Sequence, residues 1–335
     1  MASTAAPALS NGLSLALGPL ARALTRRYAR ILMYHRFSAH EQLRRMSVAV
    51  FEQHVRYISR NFTPRRLRDV VHKLRAQQDL DNHSVVLTVD DGYRDFMEHA
   101  YPILLRYGVP ATIYVVTEFA DGRIWLWPDA LHWLISAAAT GHCRLDLSGI
   151  VLELDLTSPA CRNASWSRFG MRLMELSTED RWAAIRKLES RLGLELPARP
   201  TAEYAPMSWD DLRGLDPELI EIGSHTCTHP ILSRCTAAQQ SSEIASSKEI
   251  LERRLGRSVE AFCYPHGESR DFTVETQAIV AQCGFTSAAV AFGGLVNGAT
   301  QLGQLTRLPA SDDMFIFRNS VNGIGRIKQA LRIPD

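Results

Sequence analysis

VVLTVDDG, residues 85–92, decides how this chain is read. Its first five residues are apolar except for Thr88 and rich in β-branched side chains, so they form a run of strand length bounded by a turn. The run stops at Asp90-Asp91, and Gly92 supplies a permissive turn. Upstream, ILMY (31–34) reads as another strand, and Phe51, Val55, Ile58 and then Leu67, Val70, Val71, Leu74 mark two amphipathic helices. Downstream, a helix is predicted from about Tyr93 to Tyr107, closed by Gly108 and Pro110, followed by the strand ATIYVV (111–116).

The same alternation returns with LIEIG (219–223), a helix opening at Thr236 with Gln239 as its capping-box partner, and AFCY (261–264). FTSAAV (285–290), Arg307-Leu308-Pro309 and a final helix from about Asp313 to Leu331 complete it. About seven strands joined by helices predict an α/β fold, a single incomplete (β/α)7 barrel with its reactive groups at the C-terminal strand ends. Residues 1–29 read as a leader and 30–335 as the domain. Between about 128 and 206 the rhythm changes. Cys143, Leu145 and Leu147 alternate before Ser148-Gly149, and Leu152, Leu154 and Leu156 after it, which predicts a hairpin. Trp182, Ile185, Leu188 and Leu192, ending at Gly193, mark a helix. This stretch is read as a helical and hairpin insertion.

Composition narrows the function. With 46% hydrophobic and 22% charged residues, the 335-residue chain can bury a large core. A formal charge of +2 gives no general field toward nucleic acid or anionic polymers. The six cysteines contain no CxxC pair, so reduced thiols are expected rather than disulfides or a thiolate zinc site. Residues 7–24 make a poor secretory signal and are too short to span a membrane, which points to a cytoplasmic protein. The favoured reading of this leader is a frayed or packed helix. Peripheral contact with the inner membrane surface through 7–30, using Arg22, Arg26, Arg27 and Arg30, is the second reading.

Asp90 and Asp91 at a strand end can divide labour, one binding a metal and the other accepting a proton from water. Taken alone they read more readily as a solvated turn. His225 and His229, in HTCTH after the strand LIEIG, have a spacing that lets two imidazoles converge on one ion, and Pro230 keeps His229 out of a helix interior. Asp91, His225 and His229 together would leave positions open for water and substrate, as catalytic sites do. Two imidazoles and a carboxylate accept zinc, cobalt, nickel or iron, with zinc the first choice.

VLTVDDGYRD (86–95) resembles the first motif of the polysaccharide deacetylases (NodB-homology domain, carbohydrate esterase family 4), and HTCTHP (225–230) their metal-binding motif. FCYPHG (262–267) is similar to their third motif, and TRLP (306–309) lies where an arginine-bearing motif is expected. The resemblance implies a distorted barrel and removal of an acetyl group from an N-acetylated sugar. It makes Asp90 the base and Asp91, His225 and His229 the metal ligands. It puts the backbone N–H of His266 in the oxyanion hole, with Tyr264 of the same motif as an oxyanion or substrate-binding residue.

Two departures stand out. Many members begin the third motif with an arginine that orients the base, where this chain has Cys263. Arg307 could supply that charge, or be a surface ion pair. No Leu-His-Asp motif lies near the C-terminus, so His35 in LMYHRF is the candidate general acid, as in the circularly permuted branch of the family. Trp125, Trp127 and Trp209 could wall a sugar site, though packing is the commoner role. The expected substrate is an N-acetylated sugar in a glycan or in a lipid- or nucleotide-linked precursor of a surface polysaccharide. An O-acetyl esterase or other small-amide hydrolase, and a silent carbohydrate-binding protein, are the alternatives.

Overall fold

The computed structural model describes residues 17–147 and 150–331. The main sheet has eight strands, seven of them in one continuous path: β1 (Arg30–Tyr34), β2 (Ser84–Val89), β3 (Ala111–Val115), β4 (Ile220–Ser224), β5 (Ala261–Cys263), β6 (Ser287–Ala289) and β7 (Leu308–Pro309), with the short strand Thr63–Pro64 pairing β2 off this path. The seven lie in the order β6-β5-β4-β3-β2-β1-β7, every pairing parallel. Because β7 pairs with β1 through Leu32 and Leu308, and Ala289 of β6 bridges Leu305, the sheet curls almost into a ring. This is a distorted, incomplete (β/α)7 barrel.

Alternate strand residues serve two cores, as the two-residue period requires. Ile31, Val86, Tyr114, Cys263 and Ala289 share a cluster with Leu67, Val70, Val71 and Leu74 of the helix Leu67–Arg75. Leu32, Leu87, Ile113, Phe262 and Ala288 pack in a second cluster that includes Phe51, Val55 and Ile58 of the helix Val48–Asn61. Each fully buried side chain of this kind is worth about 1.5–3 kcal/mol relative to exposure.

The insertion has its own apolar cluster, from Trp125 to Tyr204, built on the hairpin His142–Leu147/Ile150–Asp155 and the helices Trp127–Ala137, Pro159–Leu173 and Thr178–Leu192. The expected turn residues Ser148 and Gly149 lie outside the described residues, as does most of the leader segment 7–24. Two helices differ from expectation. The one after Gly92 contains a π turn, Phe96–Ala100, before Tyr101–Tyr107. The C-terminal one is two helices, Met314–Asn322 and Ile324–Leu331, because Gly323 adopts a left-handed conformation (φ 81°) and closes the first.

Arg30 departs from its expected place on a basic leader surface. It is fully buried and donates to the carbonyls of Thr25, Tyr28 and Val321, tying the helical residues 17–24 to the C-terminal helices. No helix among the described residues is long and apolar enough to cross a membrane.

Candidate active site

Strand register assembles the site. Tyr34 is level with Val89 and Phe262 with Ser224, so His35 emerges beside Asp90, and His225 beside Cys263, at the C-terminal rim. All lie at a cleft of about 610 Å³ between the barrel mouth and the insertion, except Cys263, which sits beneath it. Asp91 (φ 73°), Thr226 (φ 69°), His229 (φ 61°) and His266 (φ 60°) all have left-handed backbones. Strain of this kind costs about 1–3 kcal/mol per residue and persists only where the surroundings enforce it. Here they do: Glu243 accepts from the N–H groups of Cys227 and Thr228 and from the Thr228 hydroxyl, and the Thr226 hydroxyl accepts from the N–H of His229.

The residues fit a divalent cation. One ligand atom each from Asp91, His225 and His229 lies within 4.8 Å of the others. The imidazole Nε2 atoms stand 3.5 Å (His225) and 3.4 Å (His229) from Asp91 Oδ1, which is buried and receives no hydrogen bond among the described residues. Such an orphaned buried oxygen is costly unless a cation meets it. His225 Nδ1 donates to the Cys263 carbonyl at 2.8 Å, which leaves Nε2 unprotonated and aimed at the cluster. Burial lowers both imidazoles, His225 to about 4 and His229 well below its ordinary value, so both are neutral at neutral pH, the form in which imidazole can bind a cation. Burial, then the charges of Asp90 and Asp129, push the Asp91 carboxyl well above the usual range, a repulsion that a cation would relieve.

Asp90 is in the opposite state. Burial alone would raise its carboxyl, but the Arg307 guanidinium, and then His35, bring it down to about 2. Arg307 is no surface ion pair; it is 1% exposed, and all five of its N–H donors are used. Nη1 donates to Asp90 Oδ1 (2.7 Å) and the Thr88 hydroxyl (3.1 Å), Nη2 to Asp90 Oδ2 (2.8 Å) and Cys263 Sγ (3.2 Å), and Nε to the Val290 carbonyl (2.9 Å). The bidentate pair fixes the plane of the Asp90 carboxylate. The small thiol of Cys263 leaves room for Arg307 to reach Asp90 from the neighbouring part of the ring.

His35 lines the cleft with Nε2 3.6 Å from Asp90 Oδ2 and its ring half-exposed. The His266 N–H has no acceptor among the described residues, and its ring accepts from Trp127 Nε1 at 3.3 Å. Gly267 (φ 69°) makes the turn beneath it, where a Cβ would sit 2.9 Å from the Ala291 nitrogen.

Tyr264 is a correction. Its N–H bonds the Ala289 carbonyl in the sheet, its ring stacks on Phe272 at 4.2 Å, and its hydroxyl donates to Gly303, so it faces the core and not the cleft. Trp125, Trp127 and Trp209 are also buried in packing, their indole N–H groups bound to Pro197, His266 and Asp121. The aromatic wall is instead Tyr93, Trp166 and Tyr204. Sequence reasoning also missed Arg36 and Asp129. Arg36 pairs with Asp95 at 3.0 Å, and Asp129, raised to about 6 by burial, accepts from the Tyr93 hydroxyl at 2.6 Å. No motif marks either residue, since Arg36 lies in the loop after β1 and Asp129 in the helix Trp127–Ala137.

A sequence profile described as polysaccharide deacetylase matches residues 77–141 and 193–288 and passes over most of the insertion. YxkH of Bacillus subtilis, a polysaccharide deacetylase by description, is 34% identical over 90 residues, which are 26% of this chain and 31% of that protein. The aligned part is thus about a third of that relative's length. Among solved structures, the Streptococcus pyogenes deacetylase PplD in complex with acetate has a TM-score of 0.58 at 18% identity, covering 90% of this chain and 98% of its own. IcaB from Ammonifex degensii has a TM-score of 0.59 at 15% identity over 89% and 97%. These two share the fold. With the motif order, the profile match over these two segments leads to the conclusion that the chain carries a polysaccharide deacetylase domain.

Proposed function

We propose that this protein is a metal-dependent deacetylase that removes the acetyl group from an N-acetylated sugar in a glycan, or in a lipid- or nucleotide-linked precursor of a surface polysaccharide. One observation carries the reading. Three buried ligand atoms converge beside a separate carboxylate that is held ionised by a fully satisfied arginine, all in one cleft. Asp91, His225 and His229 would hold the ion, zinc first. A divalent cation there supplies a lowered pKa for water and polarisation of the acetamide carbonyl.

The chain's own groups do the rest. Asp90 accepts a proton from the attacking water, in an orientation set by Arg307. The free N–H of His266 donates to the oxygen on which charge develops. His35 protonates the departing amine; burial lowers its imidazole below the ordinary value, and Asp90 at 3.6 Å offsets that only in part. The six cysteines are all free thiols, which supports a reducing compartment such as the cytoplasm.

The test is metal analysis together with acetate release from a panel of N-acetylated and O-acetylated hexosamines. Stoichiometric divalent metal, and release from the N-acetylated substrates that stops on chelation, are expected. A protein without metal and without release from any of them overturns the proposal, and release from O-acetylated sugars alone makes it an esterase. His225 accepts a proton only near pH 4, so metal content should hold through neutrality and fall in acid. His229→Ala should lose the ion at every pH. Replacing His35 by Asn should lower turnover about 10²-fold or more and leave metal content unchanged. Unchanged turnover would remove His35 from the mechanism.

A further inference from the structure

Three arginines line the cleft away from the metal cluster, and they are not equivalent. Arg36 is answered by Asp95 at 3.0 Å, and Arg45 by Glu203 at 2.8 Å. Arg44 has no carboxylate partner among the described residues. Its Nη2 donates to two neutral oxygens of the insertion helix Pro159–Leu173, Asn163 Oδ1 at 2.6 Å and Ser167 Oγ at 3.2 Å, while Nε and Nη1 have no acceptor among the described residues.

The position is built. Arg44 has a left-handed backbone (φ 66°) in a turn closed by Gln42 and Arg45, a conformation that a non-glycine residue adopts at a cost. The turn lays its guanidinium over Trp166, 3.2 Å from the ring centroid, and Trp166 is itself fixed by its indole N–H on the Pro128 carbonyl at 3.0 Å. A guanidinium oriented by an aromatic face and two neutral acceptors, with donors left over, complements the planar or tetrahedral oxygens of an anion.

We propose that Arg44, stacked on Trp166, forms a subsite for an anionic group, a carboxylate or phosphate carried by the substrate next to its N-acetylated sugar. The proposal rests on the deacetylase reading for its place in catalysis, and the subsite also has a binding readout of its own. A uronic acid in an acidic glycan, or the diphosphate of an activated or carrier-linked sugar, would supply the charge.

The test uses the full chain and three probes: an N-acetylglucosamine tetramer, a hyaluronan tetrasaccharide and UDP-N-acetylglucosamine. Acetate release and, in the Asp90→Asn background, calorimetric binding are measured with and without Arg44→Gln. Preference for one acid-bearing probe over the neutral tetramer is expected, falling roughly 10–100-fold with Arg44→Gln, the loss of a charge-assisted contact. Arg44→Lys should restore part of it, keeping the charge but not the fork. The two acidic probes separate uronate from diphosphate as the source. No preference in the parent protein, or one that Arg44→Gln leaves intact, overturns the subsite. Arg44-dependent binding with no acetate from any probe keeps the subsite and overturns the deacetylase instead.

Discussion

Asp90→Asn should reduce acetate release about 10²–10⁴-fold while the folded protein retains its cation, because under the proposed mechanism it removes the general base and leaves Asp91, His225 and His229 untouched. The amide cannot take the proton of the attacking water, although its oxygen can still accept one of the two hydrogen bonds from Arg307. The buried guanidinium is then partly unanswered, so the variant also loses stability. Turnover should therefore be compared well below its melting temperature, per mole of bound metal. Near-parental turnover at full metal occupancy would exclude Asp90 as the base. Loss of the metal would instead make Asp90 part of the cation's own site, a role suggested by the alternative grouping of Asp90, His225 and Cys263.

Arg307→Met should destabilise the fold by about 3–5 kcal/mol, because it leaves the Asp90 carboxylate buried without its partner. The sign with pH follows from the pair. Arg307 holds the Asp90 carboxyl near 2, below its ordinary 3.8, so the stabilisation is present above about pH 4 and lost as pH falls through 2. Without Arg307, burial dominates and the carboxyl rises, so the variant should lose that dependence and carry a more weakly ionised base. The double variant Asp90→Asn, Arg307→Met should recover part of the stability, since removing both charges leaves no uncompensated ion. Denaturant unfolding of the two single variants and the double variant completes the cycle. Equal and additive losses would mean that the two side chains are not energetically coupled, against the bidentate geometry.

The strands and most helices were legible because each carries a local signal. Val85 to Val89 could be read from its apolar run, the Thr236–Gln239 capping box from two side chains three residues apart, and the ends at Gly108 and Gly193 from glycines that adopt left-handed conformations. Where the reading missed, the signal was not local. Gly323 splits the last helix at a residue that a periodic pattern tolerates, and the π turn at Phe96–Ala100 leaves the apolar spacing almost unchanged.

The site divides in the same way. Asp90, Asp91, His225 and His229 are adjacent or four apart, and their types and positions at strand ends were enough to group them. Tyr264 was misplaced because its motif neighbours the cleft while the two-residue alternation turns its own ring to the other side of the sheet, against Phe272. Arg36, Asp129 and Trp166 were passed over because they come from a loop and an insertion with no motif.

By itself, then, the sequence determined the barrel, its rim, and the identity of the carboxylates and imidazoles displayed there, because strand periodicity and turn chemistry are written within a few residues. Only the tertiary structure decided what state those groups are in. Arg307 lies 217 residues from Asp90 along the chain, and it reaches it because the near-closure of the ring brings β7 beside β1, whose other neighbour is β2. The isolation of Asp91 Oδ1 is a consequence of burial, and the pull of Asp90 down to about 2 and the Arg44 guanidinium without a carboxylate partner among the described residues are consequences of distance through space, which no local pattern encodes.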